Sequence, residues 1–143
     1  MNQQILPTNT CFDDTAAYVQ MRCLEDKRLL LTDALIIVHG IALGANGPRA
    51  GEPYAHAWVE EGPLCWDTGL FEGQRVFYAV AHDEYYAAHR IQATTRYTIV
   101  EAAVAELRAG HCAPWRPAYR ALCANGNRGP LGVIEATYAP GNH

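Results

Sequence analysis

The chemistry this chain can perform is suggested first by a histidine and an aspartate on the two arms of one predicted hairpin. Tyr54-Ala55-His56-Ala57-Trp58-Val59-Glu60-Glu61-Gly62-Pro63-Leu64-Cys65-Trp66-Asp67-Thr68 reads as two strands around a turn. With Glu61-Gly62 as the turn, His56 falls directly opposite Asp67. Opposed residues of an antiparallel pair share a face and hold their Cβ atoms about 5 Å apart, which suits a carboxylate that accepts a hydrogen bond from an imidazole N–H. A histidine oriented by an aspartate supplies two members of a catalytic triad. An odd-length loop would send the two side chains to opposite faces.

The third member is a nucleophile, and Cys11 is the candidate. Thr10 followed by Asp13 resembles a capping-box start, and Phe12, Ala16, Val19 and Cys23 then recur at helical spacing. Cys11 is expected at the first helical position, where unpaired backbone N–H groups and the helix dipole favour a thiolate. Asp13 and Asp14 would oppose that effect unless they face solvent, which is their expected direction. Asn9, two residues earlier, is a candidate oxyanion donor beside the Cys11 N–H. Cys23 reads as core. Cys65, expected across from Trp58, would share the face of His56 and Asp67 without a helix dipole to activate it.

These residues need elements to carry them. Helical signals cover about Thr10 to Leu30, and Leu35 to Leu43 is a β-branched apolar run of the kind that forms a buried strand. Gly44 to Pro53 reads as a loop and Arg75 to Tyr78 as a further strand. Asp83 to His89 reads as a short helix or an extended edge. Thr98-x-x-Glu101 is a capping box that opens an Ala-rich helix stopped by Gly110. Ala124 to Pro130 is turn-like, and Val133 to Tyr138 suggests a last strand. The expected fold is α+β, an N-terminal helix packed on a mostly antiparallel sheet.

At 143 residues the chain suits a single domain over 1–143, with a catalytic core at about 9–90 and a C-terminal helix and tail at about 95–143. The formal net charge of −4 comes without a Lys/Arg cluster, since Lys27 is the single lysine, which argues against nucleic acid or an anionic membrane as partner. No apolar run is long enough to span a bilayer, and no signal peptide is evident at Met1 to Ile5, so a cytoplasmic location is expected. Five cysteines without a dense spacing pattern fit a reducing compartment. Six histidines accompany them, but neither Cys-x-x-Cys nor His-Glu-x-x-His occurs, so no metal or cofactor is expected.

A cysteine at a helix start, an apolar strand near a glycine, His56-x-Trp58-x-Glu60 and then Trp66-Asp67-Thr68 together resemble the papain-like cysteine hydrolase superfamily. Within it the pattern is similar to the transglutaminase-like and NlpC/P60-like branches, and to small bacterial and phage proteins of that kind. The likeness covers about Asn9 to Thr68 and, more faintly, Phe71 to Tyr86. It implies a papain-like or transglutaminase-like fold, with Cys11 as nucleophile, His56 as general base and Asp67 as orienting acid, acting on an amide or peptide bond of a protein or peptide-like substrate. Trp58 and Tyr54 are candidate substrate contacts, although hairpin aromatics also serve as core. Two other readings stay open: a binding or structural module that keeps the fold without turnover, and a toxin-like effector that deamidates or cleaves a protein target.

Overall fold

Two apolar clusters lie on opposite faces of one sheet, and the strand sequences explain why both faces are covered. In the computed structural model, which describes residues 3–5, 10–44, 50–124 and 134–136, β2 (Ile36–Leu43), β3 (Pro53–Glu61), β4 (Leu64–Phe71), β5 (Gln74–Ala81) and β6 (Ala93–Thr98) form an antiparallel sheet in the order β5-β4-β3-β2-β6. A second, two-stranded sheet pairs β1 (Gln3–Ile5) with β7 (Ile134–Ala136). The helices are α1 (Cys11–Glu25), α2 (His82–His89), α3 (Ile99–Ala109) and α4 (Pro117–Ala124). The chain is thus α+β. Among the described residues no helix is long and apolar enough to cross a membrane.

Side chains alternate along β3, which sits at the centre of the sheet. Val59, with Ile37 of β2, packs against Tyr18 and Val19 of α1 and Ile99 and Ala102 of α3. Trp58, with Val38, Cys65 and Tyr78, packs against Tyr85 of α2. Burial of β3 on both faces explains its nearly continuous apolar run. Gly40 is required by the second cluster, because a Cβ there would lie 2.6 Å from the Trp58 ring and 3.0 Å from the Ala93 carbonyl oxygen.

Several expectations need correction. The helix expected to Leu30 ends at Glu25, and Lys27–Leu31 is a 3-10 helix capped by Asp26. Thr10 makes no side-chain cap at the start of α1; its hydroxyl donates instead to Asp14. The buried stripe of α1 is Cys11, Asp14, Thr15, Tyr18 and Val19, whereas Ala16 is exposed. The capping box at Thr98 and Glu101 is present, and Gly110 ends α3 with a left-handed φ of 75°. Strand β6, at the sheet edge beside β2, and helix α4 were not expected, although Thr94, Thr95, Tyr97 and Thr98 favour a strand and Pro117 suits the first position of a helix. The turn expected at Ala124 to Pro130 lies almost wholly outside the described residues; of Val133 to Tyr138, β7 is the described part.

The hairpin register differs from the expected one. Glu61 pairs with Leu64, Glu60 with Cys65 and Val59 with Trp66, so the two-residue turn is Gly62-Pro63, not Glu61-Gly62. Pro63 has no N–H to give to a ladder, so it cannot pair with Glu60 and becomes part of the turn. Gly62 supplies the positive φ, 56°, that a tight hairpin turn needs. Moving the turn by one residue shifts the register by two, which preserves the faces. Asp67 therefore shares a face with His56 but lies diagonal to it, and Cys65 lies across from Glu60 instead of Trp58.

Candidate active site

The β3–β4 ladder stops at Val59–Trp66, while β4 remains paired with β5 along its whole length and β3 with β2. Beyond that point the facing edges of β3 and β4 carry no ladder. The first turn of α1 meets this opening: the Cys11 thiol points to the Ala55 carbonyl oxygen at 4.0 Å. Asp14, one turn later, accepts hydrogen bonds from Thr10 and Thr68 and pairs with Arg75 of β5. Asp13 is exposed as expected, but Asp14 is 2% exposed. Its carboxylate fastens the start of α1 to β4 and β5, with the Arg75 charge offsetting its own.

His56 and Asp67 are in direct contact. His56 Nε2 lies 3.0 Å from Asp67 Oδ2 and 2.7 Å from the Tyr85 hydroxyl oxygen. Tyr85 Oη in turn donates to Asp67 Oδ2 at 2.6 Å, Tyr78 Oη reaches the same oxygen at 3.4 Å, and the Thr68 N–H donates to Oδ1 at 2.7 Å. Every face of the carboxylate is held, so its orientation is fixed. With Nε2 engaged, Nδ1 is the nitrogen left for the Cys11 sulfur.

The electrostatics follow from this packing. Burial alone would lower the His56 pKa, but the Asp67 charge and hydrogen bond, followed by the hydrogen bond and charge of Cys11, raise it to about 10. Burial likewise opposes ionisation of Asp67, yet His56, by charge and hydrogen bond, holds its carboxyl below the ordinary value. The arrangement favours an imidazolium held against the Asp67 carboxylate. Burial and the nearby Asp67 push the Tyr85 hydroxyl far above its usual range, so it stays a donor.

The remaining expected residues fall differently. Asn9 lies outside the described residues. Trp58 is fully buried, and its indole N–H donates to Glu60 at 2.9 Å. Tyr54 is 3% exposed, with its hydroxyl 3.0 Å from His89 Nδ1. Both therefore build the wall behind His56 and present no surface to a substrate. Cys65 is buried and donates to Glu60, and burial followed by the Glu60 charge raises its pKa strongly, which makes it an inert thiol.

Sequence reading missed Tyr85, Asp14 and His89. Tyr85 and His89 lie one turn apart on α2, a helical spacing visible in the sequence. Their meeting with Asp67 depends on how α2 lies on the sheet, which no local pattern specifies. His89 stacks on His56 with ring centroids 4.8 Å apart. Burial, then the His56 charge, lowers its pKa to about 3, so it is neutral. Its Nε2 is buried with no hydrogen-bond partner among the described residues.

No protein-family model matches the chain, and comparison with curated proteins and with solved structures likewise returns no match.

Proposed function

We propose that this protein is a thiol-dependent hydrolase or acyl transferase that acts on an amide or peptide bond through Cys11, His56 and Asp67. The observation that carries this reading is the convergence of a helix-start cysteine and a carboxylate-held histidine where β3 and β4 part. Cys11, ion-paired with the His56 imidazolium, attacks the substrate carbonyl carbon and forms a thioacyl enzyme. His56 gives its proton to the departing amine, then takes a proton from the second nucleophile as that nucleophile cleaves the thioester. Asp67 keeps the imidazole oriented throughout, and Tyr85 holds Asp67. The Cys11 backbone N–H, at the free end of α1, is suited to receive the oxyanion. Hydrolysis, deamidation and transamidation share this intermediate and differ in what reaches the thioester. The papain-like or transglutaminase-like resemblance supports the same assignment of roles, as does a helix N-terminus set against an antiparallel sheet.

The test is the pH profile of alkylation, residue by residue. Iodoacetamide modification of Cys11, mapped by mass spectrometry, is expected to keep most of its rate from pH 8 down to pH 5.5, because the imidazolium stabilises the thiolate. Exposed Cys112 is expected to lose about tenfold per pH unit. If Cys11 follows the same slope as Cys112, the ion pair is absent and the enzymatic reading falls. His56→Ala should convert the Cys11 profile to that of an ordinary thiol.

A further inference from the structure

We propose that His56, Asp67 and His89 form a site for a divalent transition-metal ion, zinc above all, in which the ion takes the place of the proton between His56 and Asp67. The site does not depend on the thiol reading. One ligand-type atom from each of these three residues lies within 4.8 Å of the other two. Two histidines and one carboxylate are a zinc donor set that leaves a fourth position open.

His89 is the residue that points to a ligand. It is 2% exposed, and no hydrogen bond among the described residues satisfies its Nε2. A buried nitrogen without a partner is destabilising, and a metal bond would relieve it. Its Nδ1 lies 3.0 Å from the Tyr54 hydroxyl oxygen, so Nδ1 carrying its hydrogen towards Tyr54 leaves the Nε2 lone pair free. That is the outer contact by which a ligating histidine is usually oriented. Asp67 is prepared in the same way, its Oδ1 held by the Thr68 N–H at 2.7 Å while Oδ2 faces His56.

The geometry needs modest adjustment. Tetrahedral zinc with bonds of about 2.0–2.1 Å spaces its ligand atoms about 3.3 Å apart. His56 Nε2 and Asp67 Oδ2, now 3.0 Å apart, would open slightly, and the His89 ring would move in. Tyr85 Oη, within hydrogen-bond distance of both, borders the remaining position. On binding, the ion replaces the proton that His56 Nε2 shares with Asp67 and Tyr85, and that proton leaves to solvent.

The experiment uses the full-length protein, stripped with chelator and dialysed against zinc chloride at neutral pH, with bound metal measured by mass spectrometry. A single equivalent is expected to be retained. Cys11→Ser should keep it, whereas His89→Phe, which preserves the ring stack and removes the nitrogen, should weaken binding tenfold or more. Should His89→Phe fail to fold, 15N NMR of the imidazoles in the parent reads the same point, because zinc must shift His89 Nε2. No retained zinc, an unshifted His89 Nε2, or binding that survives His89→Phe and disappears in Cys11→Ser would overturn the proposal. A stripped protein whose Cys11 is already unreactive would instead count against the thiol reading, while the zinc stoichiometry still decides the site.

Discussion

His56 and Asp67 meet across two neighbouring strands that have ceased to hydrogen-bond to each other. Their ladder ends at Val59–Trp66, and three further contacts, from Tyr85, Tyr78 and the Thr68 N–H, hold the aspartate towards the histidine. The same opening admits the first turn of α1. A fully paired hairpin would keep Cys11 on the α1 face of the sheet and His56 on the α2 face.

Asp67→Asn tests that contact. Burial already acts to lower the His56 pKa, and the Asp67 charge is the largest influence opposing it. Removing the charge should bring the histidine from about 10 to near or below its ordinary 6.5. Imidazole NMR titration reads this directly, and an unmoved titration in a folded variant would contradict the ion pair. Tyr85→Phe keeps the charge and removes one hydrogen bond, so its shift should be much smaller.

Asp14→Ala should loosen the start of α1. The substitution removes the acceptor for Thr10 and Thr68 and the partner of Arg75, which itself is 55% exposed and regains water. Because of that exposure we expect a loss of about 2–3 kcal/mol, less than for breaking a fully buried pair. Urea denaturation measures it. Cys11 alkylation at pH 5.5 should slow in the same variant; full stability with full reactivity would mean that α1 is anchored elsewhere.

Gly40→Ala probes the support beneath His56, since Gly40 pairs with it across β2 and β3. The added methyl would meet two atoms of the Trp58 ring at 2.6 and 2.9 Å and the Ala93 carbonyl at 3.0 Å. Trp58 is fully buried and cannot yield freely. A destabilisation of about 1–3 kcal/mol is expected, visible as a lowered thermal midpoint. Gly40→Ala with a parental midpoint would show that the indole has room to shift.

Stability should peak near pH 6.5. His39, boxed by the rings of Phe12, Tyr97, Trp115 and Tyr119, has its pKa lowered by burial to about 4, and that of His89 falls to about 3. Below 6.5 the unfolded chain binds more protons at these two sites, so their contribution is present above 6.5 and is lost as pH falls towards 4 and 3. The full loss is on the order of 3 kcal/mol or more for each. His56 has the opposite sign: its contribution is complete below 6.5 and is lost as pH rises through about 10. Urea midpoints from pH 4 to 10 should trace both limbs, and His39→Phe should flatten the acid limb. A midpoint constant between pH 4.5 and 6.5 would contradict the buried neutral histidines.

Sequence alone was enough to locate α1, the capping box at Thr98, the hairpin and the shared face of His56 and Asp67. Each of these depends on neighbours in the chain: a periodicity of 3.6 or 2, a cap three residues away, or a glycine at a turn. Even the register error preserved the face, because Pro63 moves the turn by one residue and the pairing by two. What only the tertiary structure decided is distant in sequence. Asp14 binds Arg75, Tyr85 grips Asp67, and His89 stacks on His56, all through the packing of α1 and α2 on opposite faces of the sheet. The end of the β3–β4 ladder belongs with them, because two strands part where a helix supplies other partners, and local pattern carries no record of that competition.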